Sequence, residues 1–290
     1  MVLPRWYPFF RATLLGMNKI PEIREGQSVE LLKELHILTR DGKLNQDSRR
    51  KLKQVYHLYN FIEPLLKEVV KAEDHKLSLV DHGAGKSYLG FILYDLFFKN
   101  LKAGEIYGIE TREELVTKSK DLAKKLAFQR MQFLNLSVED SITSQALPET
   151  IDVVTALHAC DTATDDAIKF ALKKKARFVV LVPCCQAEVA SVLRKNKGKN
   201  LSKSVLTEIW RHPIHTREFG SQITNVLRCL ELEAHGYQVT VTELIGWEHS
   251  MKNELIIAQF KDLPKAHSQN RLESLLNELN LEEMKDRFLS

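Results

Sequence analysis

The spacing of apolar residues changes near Leu77, and the change divides the chain into two kinds of structure. Upstream, apolar residues recur at helical intervals, which predicts a short helix over 28–38 and a longer helix capped by Asp47. Pro64 is expected to kink this longer helix or to begin the next one, because proline lacks the backbone donor. Residues 1–72 are therefore predicted to form an N-terminal arm and a helical lead-in. The predicted apolar face of the longer helix comprises Leu52, Val55, Tyr56, Tyr59 and Ile62.

Downstream of Leu77, short apolar runs alternate with helical stretches, the first of which is the strongly apolar segment 87–98. The helix over 112–128 is expected to open with a capping box made by Thr111 and Glu114. Alternating strands and helices are typical of a parallel, doubly wound sheet, so the chain is predicted to be an α/β protein. The five apolar runs predicted to be strands are 77–81, 105–110, 131–136, 151–157 and 177–182.

The last third of the chain predicts a helix, a strand pair and a final helix. The helix over 219–235 is expected to end at Gly236, since glycine adopts the left-handed cap without strain. The runs 237–244 and 254–260 are spaced as an antiparallel pair that closes the far edge of the sheet. Seven strands are thus expected within a catalytic domain over 73–263, and a C-terminal helix over 264–290.

Composition narrows the class of protein. Hydrophobic residues make up 44% of the 290 residues and charged residues 28%, as in globular proteins, and no segment approaches the ~18 apolar residues of a membrane span. The net charge of +4 is compatible with a nucleic-acid partner without requiring one. The N-terminus lacks a cleavage pattern, so no export signal is expected, and residues 1–16 are either a flexible arm or an over-extended start.

The four cysteines are predicted to be free thiols in a reducing cytoplasm. They show no paired CxxC spacing, and two of them are adjacent, so neither a disulfide framework nor a structural zinc site is expected. No metal site is predicted. The cysteines are Cys160, Cys184, Cys185 and Cys229.

The segment VDHGAGKSYLG at 80–90 lies between a predicted buried strand and a predicted helix, where glycines let the backbone approach a ligand. A Walker A phosphate loop requires glycine five residues before its glycine-lysine pair, and that position is Val80. A dinucleotide fingerprint requires GxGxxG, whereas after Gly83 and Gly85 the next glycine is Gly90. Neither of these two ligand classes fits the spacing.

A third form of this turn has one acidic residue at its start and a second at the end of the next strand. Asp81 and Glu110 occupy these positions, and Glu110 follows Gly85 by 25 residues. A carboxylate is an acceptor that takes two hydroxyl protons at once, so it suits the ribose of a nucleoside cofactor. The pattern favours a methyltransferase and leaves another nucleotide-binding Rossmann protein as the alternative.

At this point the chain can be compared with a family. The stretch 77–260 resembles the class I S-adenosylmethionine-dependent methyltransferases, which have a Rossmann-like seven-stranded sheet. More narrowly, it resembles the methyltransferase-domain group that includes tRNA 2′-O-methyltransferases. The motifs that carry this resemblance are VDHGAGKSYLG at 80–90, LHACDTATDDAI at 157–168 and VPCCQ at 182–186.

The resemblance implies that S-adenosyl-L-methionine is the cofactor. Many relatives have aspartate at the adenine position, where this chain has Ser137, and the zinc-binding modules of RNA-acting members are not visible here. The implied cofactor contacts are Asp81, Gly83 and Gly85 to the methionine moiety, Glu110 to the ribose, Ser137 and Val138 to the adenine, and Leu157 at the end of the fourth strand.

Candidate catalytic residues follow the fourth and fifth predicted strands. The fourth strand of this fold ends near the transferred methyl, so His158 or Asp161 could orient the acceptor or take its proton. Both could equally be packed residues, and Asp161 could cap the next helix. Cys184 and Cys185 follow the fifth strand, where a thiolate could attack a pyrimidine ring, with a structural role as the alternative.

A basic insertion is expected over about 188–217. Seven basic residues and one acid lie between Ser191 and Arg217, a balance that fits contact with an RNA backbone but also fits a solvated loop. RNA methylation is thus the leading hypothesis. Methylation of a small molecule or protein, non-catalytic cofactor binding and an oxidoreductase remain open. The candidate RNA-binding residues are Arg194, Lys195, Lys197, Lys199 and Trp210.

Overall fold

A computed structural model describes residues 23–71, 75–157, 159, 161–184, 186–196, 208–209, 211–244 and 253–289. Across these ranges, no helix has the length and apolar character that crossing a membrane requires. Several residues singled out above lie outside the described residues, namely His158, Cys160, Cys185, Lys197, Lys199 and Trp210.

A seven-stranded sheet forms the centre of the protein, and its spatial order is β3-β2-β1-β4-β5-β7-β6. Strands β1 to β5 pair in parallel, whereas β7 pairs antiparallel with both β5 and β6. The predicted α/β fold, with an antiparallel pair at one edge, is confirmed. The strands are β1 (Ser78–His82), β2 (Glu105–Glu110), β3 (Met131–Asn135), β4 (Val153–Leu157), β5 (Phe178–Val182), β6 (Tyr237–Glu243) and β7 (Glu254–Phe260).

Helices precede the sheet, connect its strands and follow it. The predicted N-terminal helices and C-terminal helix are both present. The helices are α1 (Val29–Glu34), α2 (Gln46–Val69), α3 (Tyr88–Leu96), α4 (Glu113–Lys125), α5 (Val138–Thr143), α6 (Thr162–Lys173), α7 (Glu188–Lys195), α8 (Pro213–Ala234), α9 (Ala266–Glu278) and α10 (Lys285–Phe288).

Strand side chains alternate between two hydrophobic cores. Leu79 and Val180 contribute to the core that contains α2 and α3, and Val80 and Val179 contribute to the core that contains α6. This alternation has the period of two that a pleated strand imposes, and burial on both faces explains why the strands are continuous apolar runs. Parallel strands end at the same sheet edge, so the turns after β1, β2, β4 and β5 lie side by side there.

The start of α2 differs from the sequence prediction. Asn45 caps the helix, because its side chain accepts a hydrogen bond from the backbone N–H of Ser48 at 2.8 Å. Asp47 lies inside the first turn, where it pairs with Lys51 one turn later. Asparagine caps helices as well as aspartate does. Because the helix begins two residues before the predicted cap, Asp47 lies in its first turn and can form the i,i+4 pair with Lys51.

Pro64 does not begin a new helix, since α2 continues through it to Val69. An interior proline removes one helical hydrogen bond and costs about 3 kcal/mol. Here the apolar face continues on both sides of the proline, with Ile62, Leu65 and Leu66 buried against the core. Burial of these side chains offsets the lost hydrogen bond and keeps one long helix.

The predicted capping box of Thr111 and Glu114 is wrong. Helix α4 begins at Glu113, and the residue that caps it, Arg112, makes no side-chain cap hydrogen bond. The hydroxyl of Thr111 and the backbone N–H of Arg112 both donate to the carboxylate of Glu110. The hydroxyl of Thr111 is thus a donor to the end of β2 and does not act as the cap acceptor of α4.

The segment predicted as a basic loop is partly helical. Its first residues form α7, because Val189, Val192 and Leu193 are buried against α8 and α9. Helix α8 begins at Pro213, six residues before the predicted start at 219. Proline is tolerated in the first turn because a backbone N–H at that position would make no hydrogen bond within the helix. The insertion thus contains a helix and the start of a second helix.

Candidate active site

The turn after β1 is tightly wound, and the sequence supplies residues that permit it. Gly83 and Gly85 have φ of +65° and +59°, a conformation that glycine adopts without steric cost. The N–H of Ala84 between them donates to the carbonyl of Ile109 on β2 at 2.9 Å. The turn is thus fixed against the neighbouring strand and leads directly into α3.

Asp81, the acidic residue at the start of the turn, is almost completely buried. Its carboxylate accepts hydrogen bonds from the hydroxyls of Thr155 at 3.0 Å and Ser87 at 3.3 Å. Burial raises the pKa of Asp81 to about 7, against the lowering effect of these hydrogen bonds. A cationic group brought close to it favours the ionised form.

Gly90 makes room for this arrangement. A Cβ at position 90 would lie 2.6 Å from Oγ of Ser87 and 3.6 Å from Oδ2 of Asp81. Glycine normally weakens a helix interior, so its presence in the first turn of α3 reflects the close packing against Ser87. The third glycine of the motif is therefore explained by packing around Asp81.

Glu110 at the end of β2 is joined to the turn. One carboxylate oxygen accepts the N–H of Gly85 at 2.8 Å, and the other accepts the backbone N–H of Arg112 at 3.0 Å. Burial acts to raise the pKa of Glu110, but the hydrogen bonds from Arg112 and Gly85 outweigh it and hold the pKa below the ordinary carboxyl value. Glu110 is thus an ionised acceptor at the position predicted for ribose contact.

A cavity of about 360 Å³ lies beside the turn and contains Asp81, Ala84 and Leu157 among its lining residues. The opposite wall is one face of α2, which sequence reasoning did not assign to the site. That wall has the spacing i, i+3, i+4 and i+7, a helical stripe that could have indicated it. Among the described lining residues Lys51 is the only cation. The α2 wall is formed by Lys51, Gln54, Val55 and Leu58.

His82 lies within the turn and is 6% exposed. In the described part of the chain, neither ring nitrogen has a hydrogen-bond partner, and the ring lies 5.2 Å from that of Phe170. Burial lowers the pKa of His82 to about 4, so the ring is neutral at physiological pH. It packs under the turn as an aromatic side chain.

The residues predicted to lie beside the adenine follow β3. Ser137 caps α5, since its hydroxyl accepts the N–H of Asp140 at 3.1 Å, and Val138 is the first residue of that helix. Val138 packs against the core that contains α6. Adenine contact by these two residues stays a prediction. The capping role accounts for serine at a position where relatives carry aspartate, since both residue types cap helices well.

Asp161, after β4, has an unusual backbone conformation with φ +50° and ψ −119°. Its side chain does not cap α6 but accepts the N–H of Ala187, after β5, at 3.2 Å. Its carbonyl accepts a hydrogen bond from Arg228 at 2.8 Å. A strained residue held by two other segments is a feature of preorganised sites, so a catalytic role for Asp161 stays a prediction.

Cys184, which follows β5 by two residues, is half-buried. Its neighbour Cys185 and the candidate base His158 are outside the described residues, so their covalent and proton-transfer roles stay predictions. Cys229 lies on α8, and burial raises the pKa of its thiol to about 12, which leaves it a small apolar group. Within the described ranges, no group of three or more potential ligands could hold a metal ion.

The predicted RNA-binding residues that are described lie on α7. Arg194 and Lys195 are exposed in the last turn of the helix. Lys195 pairs with Glu283 at 2.8 Å, near the C-terminus of the chain. They are therefore surface residues on a rigid helix, and their contact with RNA stays a prediction.

Residues 50–192 match the model of a protein family described as a methyltransferase domain. This match covers β1 to β5, the turn that follows Asp81, and Glu110. Residues 50–192, just under half of the chain, therefore carry a methyltransferase domain, and the seven-stranded sheet has the class I strand order. Methyltransferases of this class use S-adenosyl-L-methionine as the cofactor.

Two curated proteins are similar to this chain at low sequence identity. The glutathione S-transferase C-terminal domain-containing proteins of Bos taurus and Homo sapiens are 24% and 23% identical to it, over 75% of this chain. The chain spans about a third of the length of these curated relatives, 34% in both cases.

Two solved structures resemble the fold. An rRNA methylase from Streptococcus thermophilus covers 71% of this chain and 96% of its own, at 12% identity and a TM-score of 0.43. The magnesium protoporphyrin IX methyltransferase of Synechocystis PCC 6803 covers 81% of this chain and 95% of its own, at 15% identity and a TM-score of 0.43.

Proposed function

We propose that the methyltransferase transfers the methyl group of S-adenosylmethionine to RNA. The observation that carries the proposal is a basic surface at the start of α8, next to the sheet edge where the cofactor turn lies. Its members are exposed and bear guanidinium or imidazole groups, which contact phosphates and stack on bases. They are Arg211, His212, His215 and Arg217.

The two arginines of this surface already have carboxylate partners. Arg211 pairs with Glu208 at 3.0 Å and Arg217 pairs with Glu218 at 2.8 Å. Arg211 is 70% exposed and Arg217 57% exposed, so these pairs are screened by solvent and contribute little to stability. Both guanidinium groups are therefore accessible to phosphate oxygens.

The residues around the cofactor cavity suit their proposed roles. S-adenosylmethionine supplies an electrophilic methyl group on a sulfonium centre. Glu110 accepts hydrogen bonds from the ribose, and Asp81 and Lys51 provide opposite charges for the amino-acid part. The protein then has to hold the acceptor in line with the methyl group, and positioning of this kind contributes several kcal/mol to catalysis.

The test is transfer of a tritium-labelled methyl group to three fractions of a cell extract, namely total RNA, protein and small molecules. We expect label in RNA that ribonuclease releases and protease does not. Arg211→Ala/Arg217→Ala should lower this labelling about tenfold, because each phosphate contact contributes a salt-dependent share of RNA affinity. The control Lys124→Ala/Lys173→Ala removes two exposed lysines at the opposite sheet edge and should not lower it.

Label confined to the protein fraction or to the small-molecule fraction would overturn RNA as the substrate and leave the methyltransferase activity in place. Equal loss of labelling in both double variants would show that the surface at the start of α8 has no special role.

A further inference from the structure

A second cavity, of about 310 Å³, opens at the sheet edge where β5 and β6 end and β7 begins. One wall is formed by α8. The volume of the cavity falls at the lower end of the range for small-ligand sites. It is separate from the cofactor cavity, since no residue is common to the described linings of the two. The lining residues that matter here are Pro183, Gln186, Glu218, Asn225, Glu243 and Glu254.

The two cavities lie over neighbouring strands. Leu157 lines the cofactor cavity and pairs in register with Val182 on β5, and the next residue, Pro183, lines the second cavity. Arg228 donates to the side chain of Asn225 at 3.3 Å and to the carbonyl of Asp161 at 2.8 Å. The second cavity is thus adjacent to the loop after β4 and is tied to it by a fully buried arginine.

The lining of the second cavity is rich in hydrogen-bond acceptors. Two of its amide groups donate within the wall, because Gln186 donates to Asn225, and Asn225 donates to Glu254 at 2.7 Å. Three carboxylates, from Glu218, Glu243 and Glu254, line the same space, and the described lining contains no lysine or arginine. A phosphate group is disfavoured there, whereas a group with N–H donors is complementary.

We propose that the second cavity receives the methyl-accepting nucleobase and selects bases that carry an exocyclic amino group. This inference rests on the proposed RNA substrate. Adenine, cytosine and guanine carry an exocyclic amino group with two N–H donors, whereas the Watson–Crick edge of uracil has only its single ring N–H as a donor. The arginines at the start of α8, Arg211 and Arg217, are not among the described lining residues, and Arg217 pairs with the lining residue Glu218 at 2.8 Å, so the proposed phosphate contacts adjoin the cavity. Bases unstacked from a single strand are bound in such pockets.

The test is binding of labelled 12-nucleotide oligoadenylate, oligocytidylate and oligouridylate to the full-length protein in the presence of S-adenosylhomocysteine, followed by fluorescence anisotropy. We expect oligoadenylate and oligocytidylate to bind about tenfold more tightly than oligouridylate, the scale of one good base contact. In Glu243→Gln/Glu254→Gln this preference should fall to about threefold while affinity for oligouridylate stays unchanged, since charge-assisted hydrogen bonds are about twice as strong as neutral ones.

Glutamine keeps an oxygen that accepts the N–H of Asn225, and thermal unfolding of each variant verifies that the fold is intact. The matched control is Glu149→Gln, an exposed glutamate before β4 at the opposite sheet edge, which should keep the full preference. Equal binding of the three oligonucleotides, or a preference that survives the double substitution, would overturn the cavity assignment and leave RNA as substrate.

If no oligonucleotide binds, the proposed RNA function fails, and calorimetry with millimolar cytidine and uridine then tests the cavity separately. Binding of cytidine alone, lost in Glu243→Gln/Glu254→Gln, would support an amino-selective cavity that serves another substrate. Equal or absent binding of the two nucleosides would overturn the cavity proposal as well.

Discussion

The carboxylate of Glu110 accepts a hydrogen bond from the backbone N–H of Gly85 at 2.8 Å, although 25 residues separate them. The contact joins the end of β2 to the turn after β1. The group proposed to hold the ribose therefore also holds the turn that is proposed to contact the methionine moiety. Both halves of the cofactor site depend on one side chain.

Glu110→Ala should weaken binding of S-adenosylhomocysteine and of 5′-methylthioadenosine alike, by about tenfold to a hundredfold. Both compounds contain the ribose, and a hydrogen bond to a charged group contributes about 1.5–3 kcal/mol. Calorimetric titration of both compounds measures the effect. Glu105→Ala, at the other end of β2, is the control and should change neither affinity. Unaltered affinities in Glu110→Ala would exclude it as the ribose acceptor.

Lys51 is expected to contact the amino-acid part of the cofactor, so its substitution should weaken binding of only one of the two compounds. Since it is the cation in the described lining of the cofactor cavity, we expect it to pair with the carboxylate of the methionine moiety. Lys51→Met should lower affinity for S-adenosylhomocysteine about tenfold and leave affinity for 5′-methylthioadenosine unchanged, because the latter lacks the amino-acid part. Lys53→Met, on the same helix but outside the cavity lining, is the control. Equal losses for both compounds would point to a disturbed α2 instead.

Asp81 and Glu110 could be predicted from sequence because both stand at the ends of apolar strands. A parallel sheet brings the ends of neighbouring strands together whatever the helices between them contain. The strand positions were likewise predictable, since burial on both faces makes each of them a short, continuous apolar run. These features depend on local pattern and on topology, which the sequence specifies directly.

The α2 wall of the cofactor cavity was not predicted. Lys51 and Gln54 lie about 30 residues before the turn, and only the packing of α2 on the sheet brings them near Asp81. The predicted capping box at Thr111 is wrong for a related reason. The Thr111 hydroxyl donates to Glu110, and the sequence predicted a cofactor contact for Glu110 but not this hydrogen bond. Contacts between elements decide such details.

The pH dependence of stability tests the burial of Asp81. Its folded-state pKa of about 7 exceeds the ordinary value of 3.8, so the folded protein binds the proton more tightly than the unfolded chain. Its contribution to stability is full below about pH 4 and is lost as pH rises toward 7. The free energy of unfolding of Asp81→Asn, relative to wild type, should therefore rise between pH 5 and pH 8, by up to about 3 kcal/mol.

Urea unfolding at the two pH values measures this difference, with Asp121→Asn, an exposed aspartate on α4, as the control. A difference that does not change with pH would mean that Asp81 is ionised throughout. A cationic cofactor favours the ionised form, so excess S-adenosylmethionine should reduce the pH dependence of the wild type.

Arg228 connects the proposed acceptor cavity to the loop after β4 and is completely buried. It pairs with the buried carboxylate of Asp165 at 2.6 Å and lies in the electrostatic environment of Glu231, whose pKa burial raises well above the ordinary value. Arg228→Met leaves Asp165 with only the more distant Arg287, at 3.6 Å. Removing one partner of a buried pair costs about 3–5 kcal/mol, so urea unfolding at pH 7 should show a loss of that size.

The control for this prediction is Arg271→Met, which breaks the exposed pair between Arg271 and Glu233 and should cost less than about 1 kcal/mol. The double variant Arg228→Met/Asp165→Asn should recover part of the loss, because the unpaired buried charge is then removed as well. Similar losses in Arg228→Met and Arg271→Met would contradict a buried network. A stable Arg228→Met protein that still lost methyl transfer would instead assign Arg228 mainly to the positioning of Asp161.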